Sequence, residues 1–82
     1  MNVSVNFFGL QRKLARVDRI QVPLSNRMRI VADLFSYVIK KYPELYLKKD
    51  MVLVTVNNHA SSLDQRLQEN DDVSFIPHIG GG

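Results

Sequence analysis

The sequence predicts an α+β domain in which one amphipathic helix lies across a mixed sheet of four or five strands. Three observations predict it. Apolar residues alternate with polar ones in several short runs, the pattern of strands with one buried face. A single stretch, Val31 to Tyr42, carries its apolar residues at helical spacing instead. A helix stripe must also bury itself against something, and the sheet is the only surface on offer. At 82 residues the chain buries roughly 60% of the surface its unfolded form exposes, enough for one modest core.

The elements follow in order. Val3, Val5 and Phe7 alternate and give a first strand, which Gly9 ends. Leu10 to Arg16 reads as a short basic helical turn packed by Leu10 and Leu14. Ile20, Val22 and Leu24 give a second strand. Pro23 within it indicates an edge position, because proline cannot donate to a ladder. Ser25-Asn26 reads as the start of the helix. Val31, Leu34, Phe35, Val38, Ile39 and Tyr42 form the helix's buried stripe, with Asp33, Ser36, Lys40 and Lys41 mostly on the other side. Lys40 and Lys41 complement the helix dipole, and Pro43 stops the helix near Tyr42. Val52, Val54 and Val56 make a third strand. Asn57-Asn58 suits a tight turn, since asparagine tolerates positive φ. Ala60 to Ser62 reads as a very short return strand and Val73 to Ile76 as the last strand.

The first two strands are joined at hairpin distance, and the last is expected beside the first and parallel to it. That layout is a β-grasp, the ubiquitin-like fold. Residues 1–76 are expected to form the domain and residues 77–82 a flexible glycine-rich tail. The expected core includes Val5, Phe7, Val22, Leu34, Val38, Val54, Val73 and Phe75.

Composition narrows the function classes. The chain has no cysteine, which excludes disulfides, thiolate metal sites and a cysteine nucleophile. Any sulfur it carries must sit on something other than a side-chain thiol. No apolar run reaches the length of a membrane span. The start, Met1-Asn2-Val3-Ser4-Val5, reads as a strand and not as a signal peptide, so the expected location is cytoplasmic. The net charge is +3, but the basic residues are spread along the chain without interleaved stacking aromatics. Solvated surface is therefore the better reading than nucleic-acid binding.

Other constellations carry little. His59 and His78 are the only histidines, and no carboxylate pattern completes a metal site with them. No helix follows the glycine run to supply the amide donors of a phosphate loop. Glu69 to Asp72 lacks the spaced oxygen ligands of a calcium loop. Ser25, Ser36 and Ser61 have no base partnered to them in sequence.

The strand alternation also defines an outer face. If Val5 and Phe7 point to the helix, Phe8 points away; if Val73 and Phe75 point in, Ile76 points away. Two large apolar residues on the helix-free face, near the root of the tail, suggest a docking surface. The sequence closes on Gly80-Gly81-Gly82. Glycines leave a terminal carboxylate uncrowded and let the chain thread a narrow cleft.

Three blocks of the sequence resemble the MoaD/ThiS family of sulfur carriers, and within it the MoaD branch, the small subunits of molybdopterin synthase. Phe7-Phe8-Gly9-Leu10-Gln11-Arg12-Lys13-Leu14 is similar to the family's first strand and following turn. Val31-Ala32-Asp33-Leu34 is similar to the start of its helix. Val56-Asn57, Leu63, Asp64 and Asp71 to Pro77 through Gly81-Gly82 are similar to its C-terminal half. Asn70 stands where the family usually has glycine, His78 replaces a frequent second proline, and the overall charge is basic where many relatives are acidic.

The resemblance implies a carrier that is not itself an enzyme, is monomeric when free and binds no cofactor. A ubiquitin-activating-type adenylating enzyme would use MgATP to convert the Gly82 carboxylate to an acyl-adenylate, and a persulfide would turn it into a thiocarboxylate. The tail, with Gly80, Gly81 and Gly82, would then enter the active site of the large subunit of molybdopterin synthase. Pro77 to Gly82 spans about 20 Å when fully extended. Phe8, Ile76 and Pro77 are expected at the partner surface. Arg12 and Ala60 join them because they align with contact positions of such carriers. The same tail would also serve a protein modifier joined to lysines through Gly82, or a ThiS-like carrier for thiazole synthesis.

Overall fold

The alternation at the N-terminus does produce a strand, and each later element follows close to its expected place in the computed structural model, which describes residues 1–77. The order is β1 (Asn2–Asn6), α1 (Leu10–Ala15), β2 (Arg19–Pro23), α2 (Val31–Lys41), β3 (Val52–Val56), β4 (His59–Ser61) and β5 (Asp72–Pro77). Short 3-10 turns at Pro43–Leu45 and Lys49–Met51 connect α2 to β3. Of the expected tail, residues 77–82, Pro77 belongs to β5, and residues 78–82, with Gly80, Gly81 and Gly82, lie outside the described residues.

The five strands form one mixed sheet in the order β2-β1-β5-β3-β4. β1 and β5 run parallel, with Val5 opposite Val73; the remaining pairs are antiparallel. β2 is an edge strand, so Pro23 removes no inner ladder bond. Asn57 and Asn58 take φ of 53° and 68°, the pair of positive values that a tight hairpin between β3 and β4 requires.

α2 buries Val31, Leu34, Phe35 and Val38 against the sheet. All eight core residues expected from the sequence are buried. Phe35 meets Phe75 edge-to-face with centroids 5.4 Å apart, and Phe7 meets Tyr42 in the same way at 5.3 Å.

Two expectations need correction. Ser25-Asn26 does not start the helix: Ser25 bridges to Met28 in a turn, and α2 begins five residues later, after Ile30. Isoleucine offers no capping oxygen, so the start is secured from elsewhere. Val31 and Ala32 donate their amides to the carbonyls of Gln65 and Leu63 at 2.9 and 2.8 Å. The Asp33 carboxylate reaches back to accept from the amides of Arg29 and Ile30 at 3.0 and 3.1 Å, half of a capping box. The second correction concerns α1, which buries Gln11 and Ala15, while Leu10 and Leu14 are exposed.

These backbone donors hold the Asp33 carboxyl below its ordinary value of 3.8. A lowered folded-state pKa contributes stability that is present above the unfolded value and is lost as pH falls through the folded one. We expect Asp33→Asn to lower the melting temperature at neutral pH. The gap to wild type should close as the pH drops below about 4. Melting curves across that range check it; an equal gap at every pH would remove the charge from the account.

Candidate docking face and C-terminal exit

With Val54, Val73 and Phe75 turned toward α2, their neighbours on each strand occupy the helix-free face. The half formed by β2 and β1 is a polar network. The Ser4 hydroxyl accepts from Arg19 at 3.0 Å and from Gln21 at 2.9 Å. The Asn6 amide donates to Asp72 at 2.6 Å, and Arg19 lies 3.8 Å from the same carboxylate. These polar groups satisfy one another, which leaves this half little to offer a partner.

The other half is apolar at the end where β5 finishes. Leu53 pairs with Ile76 and Val52 with Pro77. Leu53 is 46% exposed, Ile76 38% and Phe8 59%. The register of β1 with β5 pairs Asn6 with Ser74, so a continued strand would bring Phe8 opposite Ile76. β1 instead parts from β5 after Asn6, while the Phe7 amide still donates to the Asp18 carbonyl on the β2 side at 2.9 Å.

That departure leaves the Phe75 carbonyl without the amide that a continued parallel ladder would supply. Gln11 fills the position: its buried side-chain amide donates to the Phe75 carbonyl at 2.6 Å. α1 is thereby tied to β5 just before the strand ends. Beyond that bond the chain proceeds through Ile76 and Pro77 along a side of β5 that β1 no longer covers. A shallow cleft of about 240 Å³ opens beside Pro77, lined also by Leu45, Tyr46, Leu47, Lys48 and Met51.

The sequence-expected surface residues thus fall into two groups. Phe8, Ile76 and Pro77 gather at the end where the chain leaves the sheet. Arg12 is exposed on α1 at that same end. Ala60 is exposed opposite Thr55 on β4, so it shares the helix-free face, but it stands on an edge strand and lines a polar cleft with His59, Gln65, Gln68 and Asp71. Sequence reasoning passed over Leu53, although the alternation that buries Val54 already turns it outward. It also passed over Gln11, whose partner is 64 residues away and leaves no local signal. No cluster of three or more metal-ligating side chains occurs among the described residues.

A five-stranded mixed sheet in the order β2-β1-β5-β3-β4, with one long helix across it and an apolar patch at one end of the outer face, defines a ubiquitin-like β-grasp protein. The chain belongs to the ThiS/MoaD family; the ThiS family pattern matches residues 5–82. A curated relative, the molybdopterin synthase sulfur carrier subunit of Mycobacterium tuberculosis, is 31% identical over 83 aligned residues, covering 100% of this chain and 99% of that one. Among solved structures, a Pyrococcus furiosus protein described as molybdopterin converting factor subunit 1 is 28% identical. It superposes with a TM-score of 0.79, covering 96% of this chain and 99% of its own. SAMP1 of Haloferax volcanii shares the fold at 18% identity, with a TM-score of 0.80 and full coverage of both chains.

Proposed function

We propose that this chain is the sulfur carrier of a molybdopterin-synthesising system, with the Gly82 carboxylate as its working group. The observation that carries the reading is the extent of the likeness. The family pattern runs through Gly82 itself, and a sulfur carrier subunit matches over the full chain. The geometry supports it: the last strand leaves the sheet beside exposed Phe8, Leu53 and Ile76.

A carboxylate is a poor electrophile at neutral pH. An adenylating partner using MgATP joins the Gly82 carboxylate to AMP and releases pyrophosphate. A persulfide on a donor protein then attacks the acyl carbon, and AMP leaves. A thiol cleaves the resulting S–S bond, which releases the thiocarboxylate and forms a disulfide on the donor side. The sulfur therefore rides on the main chain, as a protein without cysteine requires. The large subunit of the synthase supplies the acid–base groups when the sulfur is handed to the pterin precursor.

The test is to incubate the protein with its host's adenylating enzyme, MgATP and a persulfide donor, and to measure intact mass. The expected result is a gain equal to sulfur replacing oxygen, mapped to the C-terminal peptide. Adducts to lysines without that gain would favour the protein-modifier reading.

The docking face has its own test. Ile76 is partly exposed and outside the core, so Ile76→Asp should leave the melting temperature nearly unchanged. Binding to the adenylating enzyme or the large subunit should weaken by about tenfold or more, the cost of placing a charge in a desolvated apolar contact. Titration calorimetry measures it; unchanged affinity for both would clear Ile76 of any part in docking.

A further inference from the structure

The end of the molecule from which β5 continues toward Gly82 is also where its positive charge collects. Arg12 and Lys13 stand exposed on α1, and Arg16, also exposed, caps its C-terminal end. Lys40 and Lys41 occupy the last turn of α2, and Lys48 and Lys49 lie in the segment leading to β3. These elements belong to one end: α1 packs on the Pro43–Leu45 turn, that turn packs on α2, and Lys48 lines the cleft beside Pro77. Seven of the chain's eleven Lys and Arg residues are therefore gathered here, against only Asp18, Glu44 and Asp50. Arg19 and Asp72 pair with each other across the sheet. The far end carries Arg27, Arg29 and Arg66 against Asp33, Asp64, Glu69 and Asp71. The excess of +3 is thus not spread over the surface, as the linear sequence suggests; folding concentrates it at the end where β5 finishes at Pro77.

Within this basic end lie exposed apolar side chains: Phe8, Leu10, Leu14, Met51 and Ile76. An apolar centre with a charged rim is the anatomy of a protein interface. A nucleic acid would engage the cationic groups alone over most of this end, whereas the apolar centre inside a charged rim matches a protein partner.

We propose that the partner that activates the C-terminus presents carboxylates, a rim of Asp and Glu, around the cleft that admits it. The basic end of this chain steers and orients docking onto that rim. This inference rests on the carrier reading and names the kind of partner surface it needs. Opposite charges on the two rims raise the encounter rate and fall off with salt, while the apolar centre sets the lifetime of the complex. The same charges would repel an activating enzyme built for an acidic carrier, which gives the pairing its selectivity.

The experiment measures association and dissociation rates of the full chain with its host's adenylating enzyme, from about 50 to about 500 mM NaCl, a range over which exposed charges become screened. Wild type should associate roughly tenfold more slowly at the high end. A variant carrying Lys13→Glu, Arg16→Glu, Lys40→Glu and Lys48→Glu should show a comparable loss at low salt, with a nearly unchanged dissociation rate. The same four positions changed to Gln should fall between, which keeps the test valid should the reversed variant fold poorly. Arg27→Glu with Arg66→Glu, at the far end, should behave as wild type. Association that ignores both salt and the four substitutions overturns the proposal, even where Gly82 is adenylated normally and the carrier reading stands. Failure of adenylation for wild type removes the carrier reading first. Charge-dependent binding to bulk transfer RNA, with none to the enzyme, would overturn the proposal in favour of a polyanion.

Discussion

Phe75→Ala should cost about 3–5 kcal/mol of folding stability, the largest loss expected from any single side chain here. Phe75 is only 2% exposed, on a strand flanked by β1 and β3, and its ring meets Phe35 edge-to-face. Truncation leaves a cavity between the sheet and α2 and removes an aromatic pair worth about 0.5–1.5 kcal/mol beyond its buried area. A domain of this size holds total stability on the order of 5–15 kcal/mol, so the variant should be largely unfolded at modest denaturant. Urea titration followed by circular dichroism measures it. Leu53→Ala on the outer face is the control and should change stability by about 0.5 kcal/mol or less. Equal losses at the two positions would contradict the assignment of inner and outer faces.

That assignment was legible in the sequence because strand alternation is a local signal. Val3, Val5 and Phe7 share one face whatever their partners are, and so do Val73 and Phe75. Pro23 was legible for a related reason, since its missing donor confines it to an edge. The Asn57-Asn58 turn needed only the tolerance of asparagine for positive φ.

The start of α2 was not legible, because its first amides are satisfied by carbonyls of Leu63 and Gln65, more than thirty positions along the chain. Ser25-Asn26 resembles a cap and forms a turn instead. α1 defeated the hydrophobic pattern for a different reason. Its buried position went to Gln11, whose amide completes the ladder at Phe75, and Leu10 and Leu14 were left outside. A polar residue displaced two leucines from the interior because an unpaired buried carbonyl costs more than an exposed leucine. Those leucines then enlarge the apolar surface at the C-terminal end. Phe8 and Ile76 were legible as outward-facing, but the gathering of the basic residues was not. Arg12, Lys40 and Lys48 are separated in the sequence and share one end only because β1, α2 and β5 all finish on that side.

Deleting Gly82, adding residues after it, or making Gly81→Val should abolish sulfur transfer while the melting temperature stays within a few degrees of wild type. The stability half follows from the core, which among the described residues runs from Val3 to Phe75; a glycine has no side chain to add to it. The functional half follows from the chemistry proposed for the terminus. An appended residue moves the carboxylate to a different place and blocks Gly82 as an amide, which cannot be adenylated. Deletion shortens the reach from Pro77 by about 3.3–3.6 Å, and misplacement of a reacting atom by even 1 Å can cost about a hundredfold in rate. Valine at position 81 adds a branched side chain to a stretch that a cleft shaped for bare backbone must admit. Each variant is incubated with the adenylating enzyme, MgATP and a persulfide donor, and intact mass is compared with wild type. Wild type should gain the mass of sulfur replacing oxygen, and the three variants should not. Exchange of pyrophosphate into ATP separates the causes: the extended chain should fail already at adenylation, because it offers no carboxylate at Gly82. A C-terminally extended variant that acquires sulfur without first being processed back to Gly82 would place the working group elsewhere in the protein and end the carrier reading.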